Sequence, residues 1–250
     1  MRYLALCTDY DGTIAHHGRV DERTIATLEE LRDSGRRLVL VTGRGIEDLQ
    51  QVFPPLDLFD RVVAENGALL YQPATRAERP LGPAPSMNFV EELQRRGVEP
   101  VSVGRCIVAT WEPHERVVLE TIRDLGLELQ VIFNKGAVMV LPSGINKASG
   151  LRAALDDLNL SLHNAVGVGD AENDHAFLSV CECSAAVANA LPAVKDKVDI
   201  VLTEDHGAGV RQLIREMLAD DLASRDSLLH RHHIRPGVNE RGDPDARTFD

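Results

Sequence analysis

Two carboxylates stand in Asp9-Tyr10-Asp11-Gly12-Thr13, directly after the short apolar run Tyr3–Thr8. Side chains two positions apart on an extended backbone point the same way, so Asp9 and Asp11 are expected to leave a strand end together. Carboxylates held close repel, which favours a divalent cation or a shared proton between them, and a hard, oxygen-lined site suits magnesium. A solvated turn is the plainer alternative, because Asp, Gly and Thr are common there.

A second acidic group, Gly167-Val168-Gly169-Asp170-Ala171-Glu172-Asn173-Asp174, also follows an apolar run. A helix starting at Asp170 would put Asp170 and Asp174 on one face near its N-terminus, where carboxylates are favoured; simple capping by Asp170 is the alternative. Thr42-Gly43 offers a hydroxyl and an approachable amide to an anion, although the same pair suits a capped strand-to-helix turn. Lys147 opens a predicted helix and opposes its dipole at a cost of a few tenths of a kcal/mol. That cost makes sense if the amine serves an anion, but an exposed lysine is the commoner case.

The elements that must position these groups follow an α/β grammar. Tyr3–Thr8, Arg37–Thr42 and Arg61–Ala64 read as buried strands, with helices over Val20–Ser34, capped by Asp21 and stopped at Gly35, and over Ile46–Phe53. Glu65-Asn66-Gly67 is a turn signal leading into Ala68–Tyr71. Strand, helix, strand, helix, strand predicts a Rossmann-like parallel sheet with helices on both faces. Residues 72–86, with four prolines and little periodicity, break the pattern and suggest a boundary.

Beyond them the spacing predicts helices at Met87–Arg96 and Pro113–Leu125. Strands are expected at Pro100–Thr110, Glu128–Phe133 and Ala137–Leu141, the last two joined at Asn134–Gly136. That texture is a small inserted α+β cap with an antiparallel sheet. The α/β pattern resumes with a helix at Asn146–Leu158, a strand at Ala165–Val168 and a helix near Asn173–Val180. Strands at Ser184–Val187 and Ile200–Leu202 and a last helix at Gly209–Leu222 complete it. The expected division is a core of residues 1–80 and 144–222, a cap of 81–143, and a flexible tail of 223–250. The tail carries His230-Arg231-His232-His233, whose spacing suits a solvated segment better than a metal site.

A net charge of −12 argues against nucleic acid as partner, since backbone phosphates need a basic surface. No stretch approaches the roughly 18–20 apolar residues of a membrane span, and the N-terminal run is too short for a signal peptide, so a cytoplasmic protein is expected. Cys7, Cys106, Cys181 and Cys183 form neither a disulfide framework nor a zinc signature and read as plain thiols.

Taken together, the four groups resemble the haloacid dehalogenase superfamily of phosphohydrolases, whose four motifs occur here in family order. Asp9–Thr13 is similar to its DxDGT signature, Thr42 to its second motif, Lys147 to its third and Gly169–Asp174 to its GDxxND fourth. The insert between the second and third motifs resembles the branch with a C2-type cap, which includes Cof-like, sugar and phosphoglycolate phosphatases. The likeness spans roughly residues 1–218.

The resemblance implies a magnesium-dependent phosphatase in which Asp9 forms an aspartyl-phosphate and Asp11 serves as acid and then base. It implies magnesium on Asp9, the Asp11 carbonyl and Asp170, with Asp174 as ligand or orienter. Thr42, Gly43, Lys147 and Asn173 would then hold phosphate. The expected partner is a small phosphorylated acid or sugar, selected by a cap whose loops near Trp111–His114 and Asn134–Gly136 could reach inward. A phosphotransferase or phosphomutase of the same superfamily, a receiver-like phosphoaspartate module and an inactive binding protein are the alternatives.

Overall fold

The computed structural model describes residues 1–225; residues 226–250, including the His230–His233 cluster, lie outside the described residues. The chain runs β1 (Ala5–Thr8), α1 (Glu22–Asp33), β2 (Arg37–Val41), α2 (Ile46–Val52), β3 (Arg61–Ala64), β4 (Leu69–Gln72) and β5 (Ala77–Pro80). A second group follows: α3 (Met87–Arg95), β6 (Ser102–Val103), β7 (Val108–Trp111), α4 (Glu115–Asp124), β8 (Leu129–Asn134) and β9 (Ala137–Pro142). The chain then returns with α5 (Lys147–Asp157), β10 (Ala165–Gly169), α6 (His175–Leu178), β11 (Cys183–Ala186), α7 (Pro192–Lys195), β12 (Ile200–Val201) and α8 (His206–Asp220).

The larger sheet has the order β12-β11-β10-β1-β2-β3-β4-β5, parallel from β12 to β3. The chain steps one way from β1 to β2 and the other way from β10 to β11. Right-handed crossovers in opposite directions send their helices to opposite faces. Accordingly α1 packs on α8, and α5 packs on α6, β2 and β3. Because β1 lies between β10 and β2, with Thr8 level with Val168 and Leu40, the residues after these three strands emerge side by side. Those residues include Asp9, Thr42 and Asp170. This is the strand-order reversal point at which open α/β sheets bind ligands.

Strands β6-β7-β9-β8 form a separate antiparallel sheet. One of its faces packs Val108, Val138 and Val140 against Phe89, Leu93 and Val118 of α3 and α4. The alternate positions Ile107, Met139 and Leu141 face the other way and cluster with Ala68 and Cys106. The insert therefore has its own core and turns its second face toward the larger sheet.

Several expectations need correction. Residues 77–80 form β5, an exposed edge strand paired with β4; Pro80 is tolerated because, among the described residues, nothing pairs beyond it. The run from Pro100 to Thr110 is two strands, β6 and β7, turning at Gly104. The helix expected near Asn173–Val180 is only the four residues His175–Leu178; residues 172–174 make a 3-10 turn. The short α7 had no periodic signal. All four cysteines are buried and free. At the start of the expected tail, Ala223–Arg225 forms a 3-10 turn and Arg225 pairs with Glu216 at 2.9 Å.

The end of α8 is tied to the start of β1. Asp221, left-handed at φ 58°, accepts from the backbone of Arg2 and Tyr3 and from buried Arg36 at 3.0 Å. Burial works against its charge, but the Arg2 N–H and the Arg36 guanidinium outweigh burial and hold its pKa below the ordinary value. Asp221→Asn keeps a residue tolerant of that backbone and should cost about 1–3 kcal/mol at pH 7 in urea unfolding. A depressed folded-state pKa stabilises above the unfolded value, about 3.9, so the difference between variant and parent should shrink as pH falls below about 4.

Candidate active site

Asp9 follows β1 with its amide bonded to Val168 O at 3.0 Å, and its side chain is buried. Lys147, the first residue of α5, is 1% exposed and donates to Asp9 Oδ1 and Asp174 Oδ1, both at 2.6 Å. What the ammonium loses beside the helix N-terminus it regains from two carboxylates. Burial alone would lower the Lys147 pKa, but Asp174 and Asp9 outweigh it and the pKa is pushed up. Burial and the neighbouring Asp174 push Asp9 up to about 7 despite Lys147.

Asp174 folds back within its own turn. Its Oδ2 accepts the amides of Asp170 and Ala171 at 2.8 and 2.9 Å, while Oδ1 takes Lys147. No helix starts at Asp170; the two acids meet through this turn rather than across a helical face. Asp170 accepts from Thr13 Oγ1 at 3.3 Å and from Lys135 Nζ at 2.9 Å, and burial raises its pKa. Asp9, Asp170 and Asp174 each bring an oxygen within 4.8 Å of the others. Gly12 (φ 93°) passes so close that a Cβ there would lie 2.3 Å from Asp170 Oδ2.

The Asp11 carboxylate does not join these three acids. The chain turns after Asp9, and both Asp11 oxygens are taken by Arg44, Nε at 2.5 Å and Nη2 at 2.8 Å. Only the Asp11 carbonyl faces the cluster, 3.0 Å from Lys135 Nζ. Thr42 is buried beyond β2, its Oγ1 accepting from Arg44 N at 3.1 Å. Asn173 Nδ2 donates to Asn66 Oδ1 at 3.0 Å. All eight residues singled out from sequence therefore stand at one end of the larger sheet, though Asp11 contributes there through its backbone.

Sequence reasoning missed four contributors. Arg44, next to Thr42-Gly43, carries no local pattern that marks it as the partner of Asp11. Glu65 and Asn66 were read only as a turn, although that turn ends β3, the next strand in the same sheet. The buried Glu65 carboxylate accepts the Arg105 and Cys106 amides at 2.7 and 2.9 Å, joining the insert to the sheet. Gly67 (φ 106°) lets this turn press on α5, since a Cβ would lie 2.0 Å from Asn146 O. Lys135, from the β8–β9 turn, had no sequence signal beyond its place in an expected inward loop.

Above the acids lies a cavity of about 750 Å³ lined by Asp9, Thr42, Gly43, Lys147 and Asn173 from the sheet side. Trp111, Asn134 and Lys135 line it from the insert, together with the unexpected segment Ser102–Arg105.

Fold and site together define an α/β protein with an acid-lined centre beneath an inserted antiparallel sheet. The sequence pattern of haloacid dehalogenase-like hydrolases matches residues 6–105 and 105–214. A phosphoglycolate phosphatase of Methanothermobacter thermautotrophicus is 26% identical over 223 residues, covering 86% of this chain and 98% of that protein. Another from Halorubrum lacusprofundi is 28% identical, covering 85% and 96%. Among solved structures, Thermoplasma acidophilum 0175 superposes with a TM-score of 0.75 at 16% identity, covering 87% of this chain and 99% of that one. The subclass IIB sugar phosphatase BT4131 gives 0.71 at 18% identity, covering 85% and 98%. The chain belongs to the haloacid dehalogenase-like hydrolases.

Proposed function

We propose that the protein is a magnesium-dependent phosphatase that hydrolyses a small phosphate monoester through an aspartyl-phosphate on Asp9. The observation that carries this reading is the convergence of Asp9, Asp170 and Asp174 from strand ends far apart in sequence, each bringing an oxygen within 4.8 Å of the others. A hard, all-oxygen donor set fits magnesium. Asp9, Asp170 and the Asp11 carbonyl would hold the ion; Asp174, its oxygens already taken by two amides and Lys147, is the residue that orients Asp170. When bound, magnesium supplies positive charge to the carboxylates and phosphoryl oxygens and polarises the latter.

Asp9 attacks phosphorus, forming an Asp9 O–P bond as the ester P–O bond breaks. Asp11 gives its proton to the departing alkoxide, then accepts one from the water that attacks phosphorus and frees Asp9. For these tasks the Asp11 carboxyl must turn from the Arg44 guanidinium that holds both of its oxygens. The Thr42 hydroxyl, the Gly43 amide and Lys147 hold the phosphoryl oxygens, and Asn66 keeps Asn173 turned toward them.

Residues 81–143 act as the cap, held over the site by Glu65 and excluding water. Magnesium dependence, a phosphorylated acid or sugar as substrate, and a cytoplasmic setting, in keeping with four unpaired buried thiols, complete the proposal. The test is phosphate release from a panel of phosphorylated hydroxy acids and sugars. Release should need magnesium, stop with EDTA and return on adding the metal back. Full release in EDTA, or transfer to a second sugar instead of water, would overturn it.

A further inference from the structure

Lys135 stands at the tip of the β8–β9 hairpin with φ 49°, its side chain about half-buried and its ammonium 3.0 Å from Asp11 O and 2.9 Å from Asp170 Oδ2. A Cβ on Gly12 would lie only 2.9 Å from that ammonium, so the lysine also packs directly over the first turn of the site. Arg105, a second insert cation lining the cavity, is tied at the rim by Glu47 and Glu78 at 2.9 and 2.8 Å. Lys135 is therefore the insert cation that reaches the acids.

The two oxygens Lys135 holds are among those assigned above to magnesium. A metal ion and an ammonium cannot share them, so the loaded enzyme turns Lys135 out of that seat. The hairpin keeps it tethered beside the phosphoryl position, where its half-exposed ammonium can pair with an anion of the substrate. Besides Ser102, Asn134, the rim residue Arg105 and Thr110, whose hydroxyl donates to Pro100 O, the insert's lining is largely carbon, with Ile107, Ala109, Trp111, Ala137 and Met139 over the cavity. Such side chains offer little to the several hydroxyls of a sugar. They do leave a low-dielectric wall against which one ion pair counts for more than it would in water.

We propose that Lys135 selects the leaving group by pairing with a carboxylate carried close to the ester oxygen. This deepens the phosphatase reading, on which it rests, by naming the substrate class: a small phosphorylated hydroxy acid rather than a phosphorylated sugar. Hydrolysis then returns the free hydroxy acid and phosphate, and the carboxylate leaves with the acid.

The test compares Lys135→Met and Lys135→Arg with the parent on 2-phosphoglycolate and on p-nitrophenyl phosphate, whose leaving group lacks a carboxylate. Lys135→Met should lower the ratio of the two kcat/KM values by about 30-fold, the size of one charge-assisted hydrogen bond, and Lys135→Arg should restore most of it. A ratio that stays within about threefold in Lys135→Met overturns the proposal whatever the absolute rates do. So does a parent enzyme that prefers the ester without the carboxylate. Calorimetric titration of the metal-free proteins gives a readout apart from turnover. Lys135→Met should bind magnesium several-fold more tightly, and equal or weaker binding contradicts the displacement. Phosphate release from neither ester by the parent enzyme would instead sink the phosphatase reading, and this proposal with it.

Discussion

Asp9→Asn is expected to lower magnesium-dependent phosphate release from p-nitrophenyl phosphate by at least about 10³-fold while the fold survives. The substitution changes two oxygens into an oxygen and an amide at nearly constant volume, and a carboxamide is a poor nucleophile. What distinguishes this loss from a structural one is the direction of the stability change. Burial, then Asp174, push the Asp9 pKa up to about 7, above the ordinary carboxylate value. A carboxyl whose folded-state pKa is raised binds more protons folded than unfolded, so without metal it costs stability as pH climbs from about 4 through 7. Removing the charge removes that slope. Thermal unfolding in EDTA at pH 8 should therefore show a midpoint equal to or above the parent's, in a variant without turnover. Parent-like turnover would remove Asp9 as the nucleophile.

Lys147→Met should lose activity and stability together. Methionine fills much of the lysine volume, but Asp9 and Asp174 are then left with a buried shortfall of one positive charge. Taking one partner from a buried ion pair costs about 3–5 kcal/mol, and here two carboxylates share the partner. Lys147 also lowers the Asp9 pKa; without it that pKa rises further above the unfolded value. The sign follows: the variant's deficit should be larger at pH 8 than at pH 5, the reverse of ordinary acid denaturation. Magnesium, drawn to the same carboxylates, should restore part of the midpoint by binding only the folded state. Release of phosphate should still fall by about 10²-fold or more, because a phosphoryl contact is gone. Thermal scans at the two pH values, with and without metal, check the pattern; a deficit that grows toward acid would contradict it.

The strand ends were legible because β1, β2 and β10 are short apolar runs stopped by Asp, Thr-Gly and Gly-Asp, and a parallel sheet brings such ends to one edge. Asp170 and Asp174 are neighbours, but not across a helical face. A four-residue spacing fits a helical face, yet the chain makes a 3-10 turn in which Asp174 reaches back to its own preceding amides. The expected common direction of Asp9 and Asp11 failed because extended geometry stops at Thr8 and Arg44, 33 positions on, captures the second carboxylate. Arg44, Glu65, Asn66 and Lys135 act through partners far along the chain, and no local pattern marks such pairings. Strand β5 hid because an edge strand with both faces exposed has no alternation to betray it.

The most direct test of a phosphoryl group passing through Asp9 is to trap it. Enzyme quenched in acid during turnover and reduced with borohydride converts an acyl phosphate, whose carbonyl is electrophilic, into an alcohol. Peptide mapping by mass spectrometry then finds which aspartate has become homoserine. The expected result is homoserine at position 9, absent without magnesium. Homoserine at position 11, 170 or 174 instead, or a burst of p-nitrophenol with position 9 unmodified, would contradict it.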